Sequence, residues 1–201
     1  MKFTKIISSL LALGALLMLL SACQNIKKTQ LVLFESLSFG MSPKSFEEVF
    51  GEASEVEEET EMAYRDTWRA EDPYFYKTGR LFYDYENIAL NGYTGRARFT
   101  FSKSHRLEKA TVHIPVASKG EQYVVLNNLS QTIKKEIEAL PNVQSVTTET
   151  VGLYDDGYRY KVKLKGQRRE FWIDVYPTED EDAKEIEDKK YTIRVDQFRM
   201  H

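Results

Sequence analysis

The sequence predicts an α+β fold made of two tandem α-β-β-β units, residues 31–117 and 118–201, which share an antiparallel sheet with the helices packed on one face. Two segments have apolar residues at helical spacing and capping residues at their ends. Each is followed by segments that alternate polar and apolar residues and are separated by turn sequences. Because neither unit could bury its sheet alone, we expect the two units to form one core.

The first unit opens with an apolar segment, residues 31–34, that predicts a short strand. A two-turn helix is predicted over residues 43–50. Ser42 is a typical N-cap, Pro43 lacks the N–H that the first turn leaves unpaired, and Gly51 can adopt the left-handed conformation that ends a helix. The apolar residues that share one face of this helix are Phe46, Val49 and Phe50.

An acidic run, residues 53–61, separates this helix from an aromatic-rich segment, residues 64–85. The run lacks the alternating Asp/Asn and Gly pattern of a calcium loop, so we interpret it as a solvated connector rather than a calcium site. The aromatic segment has two interpretations, a stacking platform for a sugar or peptide, and strand residues that pack in the core. We favour the second interpretation.

Two alternating strands follow the hairpin signal Asn91 and Gly92, at residues 96–101 and 109–114. His113 falls on the polar side of the second strand. No other histidine lies at metal-ligand spacing from it in the sequence. We therefore expect His113 to be a solvent-facing strand residue rather than a ligand.

The second unit opens with a capping box, Ser118 and Glu121, which predicts the start of a helix that reaches about Leu140. Apolar residues recur along one side of this segment, opposite lysines and glutamates, as in a helix that lies on a sheet. An acidic stretch, residues 177–189, is expected to be a solvated loop. The strand-like segments of this unit are residues 146–154, 158–165, 171–176 and 191–195.

Residues 1–22 have the composition of an export signal. Lys2 and Lys5 precede an apolar run that is too short to span a bilayer comfortably. The run ends in Leu-Ser-Ala-Cys at residues 20–23, which resembles the lipobox of bacterial lipoproteins. That resemblance implies cleavage before Cys23 and a diacylglycerol thioether on the Cys23 sulfur, so that the lipid bilayer is one partner of the chain.

The resemblance also implies that the protein is held at the cell membrane, outside the cytoplasm. Residues 23–30 are expected to form a polar tether between the lipid and the domain. Cys23 is the only cysteine in the sequence, so no disulfide can stabilise the fold. Two of the 28 basic residues lie in the leader, which has no acid, so the remaining chain has 26 basic and 31 acidic residues, a net charge of −5. This balance excludes ordinary nucleic-acid binding.

A second resemblance concerns the first half of the chain. The sequence Phe-Gly-Met-Ser at residues 39–42, followed by Val49 and Gly51, resembles the opening of the SmpA/OmlA and β-lactamase-inhibitor-protein-like domains. Residues 99–101 and 107–110 resemble the strand-turn-strand of that family. The resemblance covers residues 38–116 and implies an envelope or secreted protein that grips another protein with the surface of a sheet.

The alternation of the second half predicts a binding face. If the apolar residues face the helix, Arg159, Lys161 and Lys163 point outward from one strand, and Trp172 and Tyr176 from its neighbour. Tryptophan among arginine and tyrosine is the composition of an interface hot spot. The alternative is a solvated sheet face in which Asp174 pairs with a lysine on the neighbouring strand.

These observations predict a non-enzymatic lipoprotein that binds a protein or peptide at the cell envelope. No cofactor and no metal are expected. The alternative function is an envelope hydrolase whose site is not visible in the sequence. The three histidines, His105, His113 and His201, lie in no recognisable catalytic motif.

Overall fold

The computed structural model describes Thr29 and residues 31–64, 73–152, 156–179 and 191–200. Within these residues the chain forms two helices and eight strands, four strands after each helix. The elements are α1 Pro43–Phe50, β1 Glu55–Tyr64, β2 Pro73–Leu90, β3 Tyr93–Phe101, β4 Leu107–Val116, α2 Lys119–Ala139, β5 Val143–Val151, β6 Gly157–Leu164, β7 Phe171–Glu179 and β8 Tyr191–Arg199.

One antiparallel sheet contains all eight strands, in the order β1-β2-β3-β4-β8-β7-β6-β5. The two halves of the chain meet where β4 pairs with β8, in a register that runs from Lys109 opposite Phe198 to Val116 opposite Tyr191. The buried apolar side chains form a single core cluster that includes residues of both halves.

The predicted fold class, α+β with α-β-β-β units, is wrong. Strands account for 54% of the structure and helices for 20%, so the fold is dominated by its sheet. Each helix is followed by four strands rather than three. In the first half, the strand that was not predicted is β1, which occupies the acidic run that was predicted to be a connector.

The acidic run forms a strand because β1 lies at the edge of the sheet, where one side of the strand has no neighbour. Charged side chains are compatible with edge strands and discourage pairing with other chains. The glutamates of β1 also meet cations on neighbouring strands. Lys77 Nζ lies 2.6 Å from Glu58 Oε2, and Arg98 Nη2 lies 3.7 Å from Glu57 Oε2.

Residues 31–34 do not form the predicted strand. They belong to a looped segment whose apolar side chains are nevertheless buried in the core. The Leu31 N–H donates to Leu37 O at 2.9 Å, and the Leu33 N–H donates to Gln197 Oε1 at 3.1 Å. The Phe34 ring centroid lies 5.1 Å from that of Phe99. The segment is therefore held in place by the burial of its apolar side chains and not by pairing with a strand.

Helix α1 provides the central ring of an aromatic cluster that packs on the sheet. Its predicted cap is confirmed, since Ser42 Oγ accepts a hydrogen bond from Ser45 N–H at 3.3 Å. Phe46 is fully buried, and its ring centroid lies 4.8 Å from that of Phe99. The other rings within about 6 Å of Phe46 are those of Phe50, Tyr83, Tyr85 and Phe101.

The core interpretation of the aromatic segment at residues 64–85 is correct for Tyr83 and Tyr85 but wrong for Phe75 and Tyr76, which are exposed. The difference follows from the length of β2. Its first residues, up to Lys77, pair with β1 only, because β3 ends opposite Leu81. Neither of the two described helices covers the side chains of this part of the hairpin.

Helix α2 follows its predicted course. Ser118 Oγ accepts a hydrogen bond from Glu121 N–H at 3.2 Å, and Glu121 Oε2 accepts one from Ala117 N–H at 2.6 Å. Among the described residues, no helix has the length and apolar character needed to cross a membrane. The buried residues of the α2 stripe are Val125, Leu126, Leu129, Ile133 and Ile137.

Candidate binding face

One face of the sheet carries the polar alternates of the strands. On β3, Ala97 and Phe99 are buried against the core, so Arg96 and Arg98 lie on the opposite face. We call this opposite side the open face, because neither described helix packs against it: the helices contact the apolar core side. Side chains of residues that are register partners on neighbouring strands lie next to one another, so they form rows across this face.

Two of these rows contain most of the aromatic and charged side chains of the open face. We call the first the aromatic row, because it contains three aromatic rings, and the second the charged row. The aromatic row consists of Phe82, Thr100, Lys109, Phe198, Trp172 and Lys161. The charged row consists of Asp84, Arg98, Thr111, Asp196, Asp174 and Arg159.

Trp172 lies under two cations and beside a second ring. The Arg159 guanidinium is 4.5 Å and the Lys161 ammonium 4.9 Å from the Trp172 ring centroid. The Phe198 ring meets that of Trp172 edge-on, with the centroids 5.7 Å apart. The indole Nε1 is buried and has no hydrogen-bond partner among the described residues. These contacts leave Trp172 half-buried rather than fully exposed, with its face engaged by cation–π interactions.

Arg159 holds the neighbouring carboxylate in a two-point contact. Its Nε and Nη2 donate to the two oxygens of Asp174 at 2.7 and 2.6 Å. The partner of Asp174 is therefore this arginine and not the lysine considered from the sequence. A planar guanidinium matches a carboxylate better than an ammonium does, so the pair fixes the position of Arg159 above Trp172.

Asp196 connects the two halves of the open face. Its carboxylate accepts a hydrogen bond from Thr111 Oγ1 at 2.7 Å and from Tyr176 OH at 3.2 Å. Lys109 Nζ and Arg194 Nε each lie 3.2 Å from it. Burial acts to raise the pKa of Asp196, but Lys109, Thr111 and Arg194 outweigh it and lower that pKa below its ordinary value. Asp196 is therefore ionised at neutral pH.

Tyr176 is the uncharged hydrogen-bond partner of Asp196 on β7. Burial, with a further contribution from the charge of Asp196, raises the pKa of Tyr176 to about 12. The phenol is therefore protonated at neutral pH and donates its hydrogen bond to the carboxylate. Its ring also lies under the Arg194 guanidinium, 5.8 Å from the ring centroid.

The charges of the open face are layered. The Asp174 and Asp196 side chains are 8% and 6% exposed, whereas those of their partners Arg159 and Lys109 are 26% and 30% exposed. Arg98 follows the same rule, because its side chain is more exposed than that of its partner Asp84. In the centre of the face, the carboxylates of Asp84, Asp174 and Asp196 thus lie below their cations. At its two sides the order is reversed, because Glu57 and Glu149 are more exposed than their partners Arg98 and Lys161.

A groove of about 500 Å³ crosses the open face over β2, β3, β4 and β8. Its walls combine the Phe82 ring and the Asp84 carboxylate with the cations Arg96, Arg98 and Arg194. A third row of side chains, Arg96, His113, Arg194 and Tyr176, runs along this part of the face.

All five residues predicted for the binding face lie on the open face, on β6 and β7. Four of them, Arg159, Lys161, Trp172 and Tyr176, contact one another or share partners, whereas Lys163 lies at the end of the strand opposite Ser145. Asp196 and Phe198 on β8 were not predicted, because the predicted strand ends at residue 195 and the observed strand continues to Arg199. Extending its alternation by three residues would have found both.

His113 lies on the polar side of β4, as predicted, and is half-buried between the cations Arg96 and Arg194 of the neighbouring strands. Within the part of the chain that the structure describes, no group of three or more His, Cys, Asp or Glu residues could hold a metal ion. Cys23, the predicted lipidation site, lies outside the described residues.

Comparison with protein-family models, with characterised proteins and with solved structures finds no match to this chain.

Proposed function

We propose that this chain is a lipid-anchored, non-enzymatic binding module of the bacterial cell envelope, and that its open face binds an acidic segment of a partner protein. The observation that carries the proposal is the layering of charge on that face. Buried carboxylates fix the cations, and the cations and rings face outward.

The anchor is proposed from the lipobox-like Leu-Ser-Ala-Cys at residues 20–23 and from the absence of any other cysteine in the sequence. Two acyl chains on Cys23 would give a stable membrane anchor, because each buried methylene contributes about 0.8 kcal/mol. The resemblance of residues 38–116 to SmpA/OmlA and β-lactamase-inhibitor-protein-like domains supports a role in binding another protein.

The size of the open face favours a polypeptide over a small molecule. The aromatic row crosses six neighbouring strands, a span of about 24 Å at the usual spacing between strands. Small-molecule sites are usually enclosed and mostly apolar. The groove here is open to solvent and lined by charged side chains, which suits an extended segment with regularly spaced carboxylates.

Titration with a labelled synthetic peptide of mixed glutamate, aspartate and tyrosine tests this proposal on the purified mature chain. We expect binding that weakens as salt is added, because exposed charge pairs are screened. Trp172→Ala and Arg98→Gln should each weaken it by about tenfold, the loss typical of a contact residue near the centre of an interface.

Lys134→Gln is the matched control, because Lys134 is an exposed cation on α2, away from the open face. It removes the same charge as Arg98→Gln and should leave the affinity unchanged. Equal binding of a peptide in which lysine replaces the acids, or undiminished binding by the two face variants, would contradict the proposal.

A further inference from the structure

Two basic turns lie at the same edge of the sheet. The β3–β4 turn, residues 102–106, follows Phe101, which pairs with Leu107. The β6–β7 turn, residues 165–170, precedes Phe171, which pairs with Arg199 at the end of β8. Because β4 and β8 are antiparallel neighbours, the start of β4 and the end of β8 share one edge. We call the two turns, together with Arg199, the basal edge.

The start of the described chain is fixed at this edge. Thr29 is buried, and its Oγ1 donates to Gln167 Oε1 in the β6–β7 turn. The Thr29 carbonyl accepts from Phe39 N–H at 2.8 Å, and the next N–H, that of Gly40, donates to Leu107 O at 2.8 Å beside the β3–β4 turn. A continuous series of hydrogen bonds therefore joins both turns to Thr29.

The distance from this point to the proposed lipid is short. Thr29 lies six positions after Cys23 in the sequence, and a fully extended chain covers at most about 3.5 Å per residue. An anchor on Cys23 would thus hold the basal edge within about 21 Å of the membrane surface.

The basal edge is rich in cations that lack acidic partners. Lys103, Lys165, Arg168 and Arg169 are exposed, and none forms an ion pair among the described residues. Glu170 is the one acidic residue in the two turns. Burial and the nearby charge of Arg169 lower the pKa of Arg199, which shows that like charges are gathered here.

We infer that the basal edge is a docking surface for the anionic phospholipid headgroups of the membrane in which Cys23 is anchored. The inference rests on the lipid anchor of the proposed function. The exposed lysines and arginines bind phosphates as they do in juxtamembrane basic segments. Docking on this edge would bring the two turns to the membrane beside the β1–β2 hairpin, whose strands continue past Phe101 at the same edge.

Hydrogen–deuterium exchange on the mature lipoprotein tests the docking in nanodiscs of phosphatidylglycerol mixed with phosphatidylcholine, and of phosphatidylcholine alone. We expect amides of residues 103–106 and 165–170 to exchange about fivefold or more slowly on the anionic discs. At 1 M salt the difference should vanish, since the screening length falls to about 3 Å. The triple variant Lys165→Gln, Arg168→Gln, Arg169→Gln should also lose it.

The matched control is the triple variant Lys119→Gln, Lys134→Gln, Lys135→Gln, which removes the same charge from exposed positions on α2. It should keep the slower exchange. Equal exchange on both kinds of disc, equal loss in both triple variants, or slowing on the open-face strands instead of the turns would overturn the inference.

The mass of the purified protein reports separately whether Cys23 is acylated. If it is not, the anchor of the proposed function fails, and coupling the Cys23 thiol to a maleimide phospholipid supplies an anchor for the same exchange experiment. Docking of the basal edge is then confirmed or overturned independently of the natural modification.

Discussion

Single residues on the open face differ in whether they contribute to the stability of the fold or to binding. Asp196 joins β4, β7 and β8 through Thr111, Tyr176 and the cation Lys109. Its contribution is to fold stability, because its carboxylate is buried and shielded from any partner. Arg98 and Trp172 instead present charge and ring surface at the face, so their substitution should affect binding more than stability.

Asp196→Asn should lower the free energy of unfolding by about 1–3 kcal/mol at neutral pH, because it leaves Lys109 and Arg194 without their carboxylate. The pKa of Asp196 is lower in the folded protein than in the unfolded chain, so its contribution is complete above pH 4 to 5 and is lost as the pH falls further. Denaturant unfolding at pH 7 and at pH 3 measures both effects.

Glu149→Gln is the control for Asp196→Asn, since Glu149 is an exposed carboxylate that pairs with Lys161 on the same sheet. Its effect should stay within about 0.5 kcal/mol. A difference between Asp196→Asn and the unsubstituted chain that persists undiminished at pH 3 would show that the ionised carboxylate is not the source of the stability.

At the scale of elements, the sequence predicted those with strong local signals. The two helices have caps and an apolar stripe, and β6 alternates without interruption, so their positions were correct to within a few residues. The strand β1 was missed because its run of glutamates has no strand-like alternation, and the cations of β2 and β3 that its glutamates meet are distant in the sequence. Such pairs depend on register, which a single sequence does not reveal.

Helix α1 is only two turns long, so its stability must come from tertiary packing. Phe46→Ala should lower the free energy of unfolding by about 3–5 kcal/mol, because it removes the ring at the centre of the aromatic cluster. Chemical denaturation monitored by circular dichroism measures this change.

Val49→Ala is the matched control for Phe46→Ala, since Val49 lies in the same helix and is exposed. It should change the stability by at most about 0.5 kcal/mol. Similar losses for the two variants would mean that burial of the Phe46 ring in the cluster does not determine the stability of α1.

At the scale of the whole molecule, the sheet separates two kinds of surface. One face is closed by helices and by the segment at residues 31–39, and the other presents the aromatic and charged rows. Half of the binding face was predictable, because Arg159, Lys161, Trp172 and Tyr176 share two clearly alternating strands. The other half was not, because the pairing of β4 with β8 joins residues about 85 positions apart, as in Thr111 and Asp196.

The central claim is that the open face binds an acidic segment of another envelope protein. Photo-crosslinking in cells that make the full chain tests it most directly. The reporter amino acid is placed at Thr147, which lies opposite Lys161 on the open face, or at Val124, which is exposed on α2.

We expect an adduct from position 147, loss of that adduct with Arg98→Gln, and an acidic sequence in the crosslinked peptide when it is read by mass spectrometry. Position 124 should give no such adduct. A partner captured at Val124 but not at Thr147, or a crosslinked segment without acidic residues, would contradict the account.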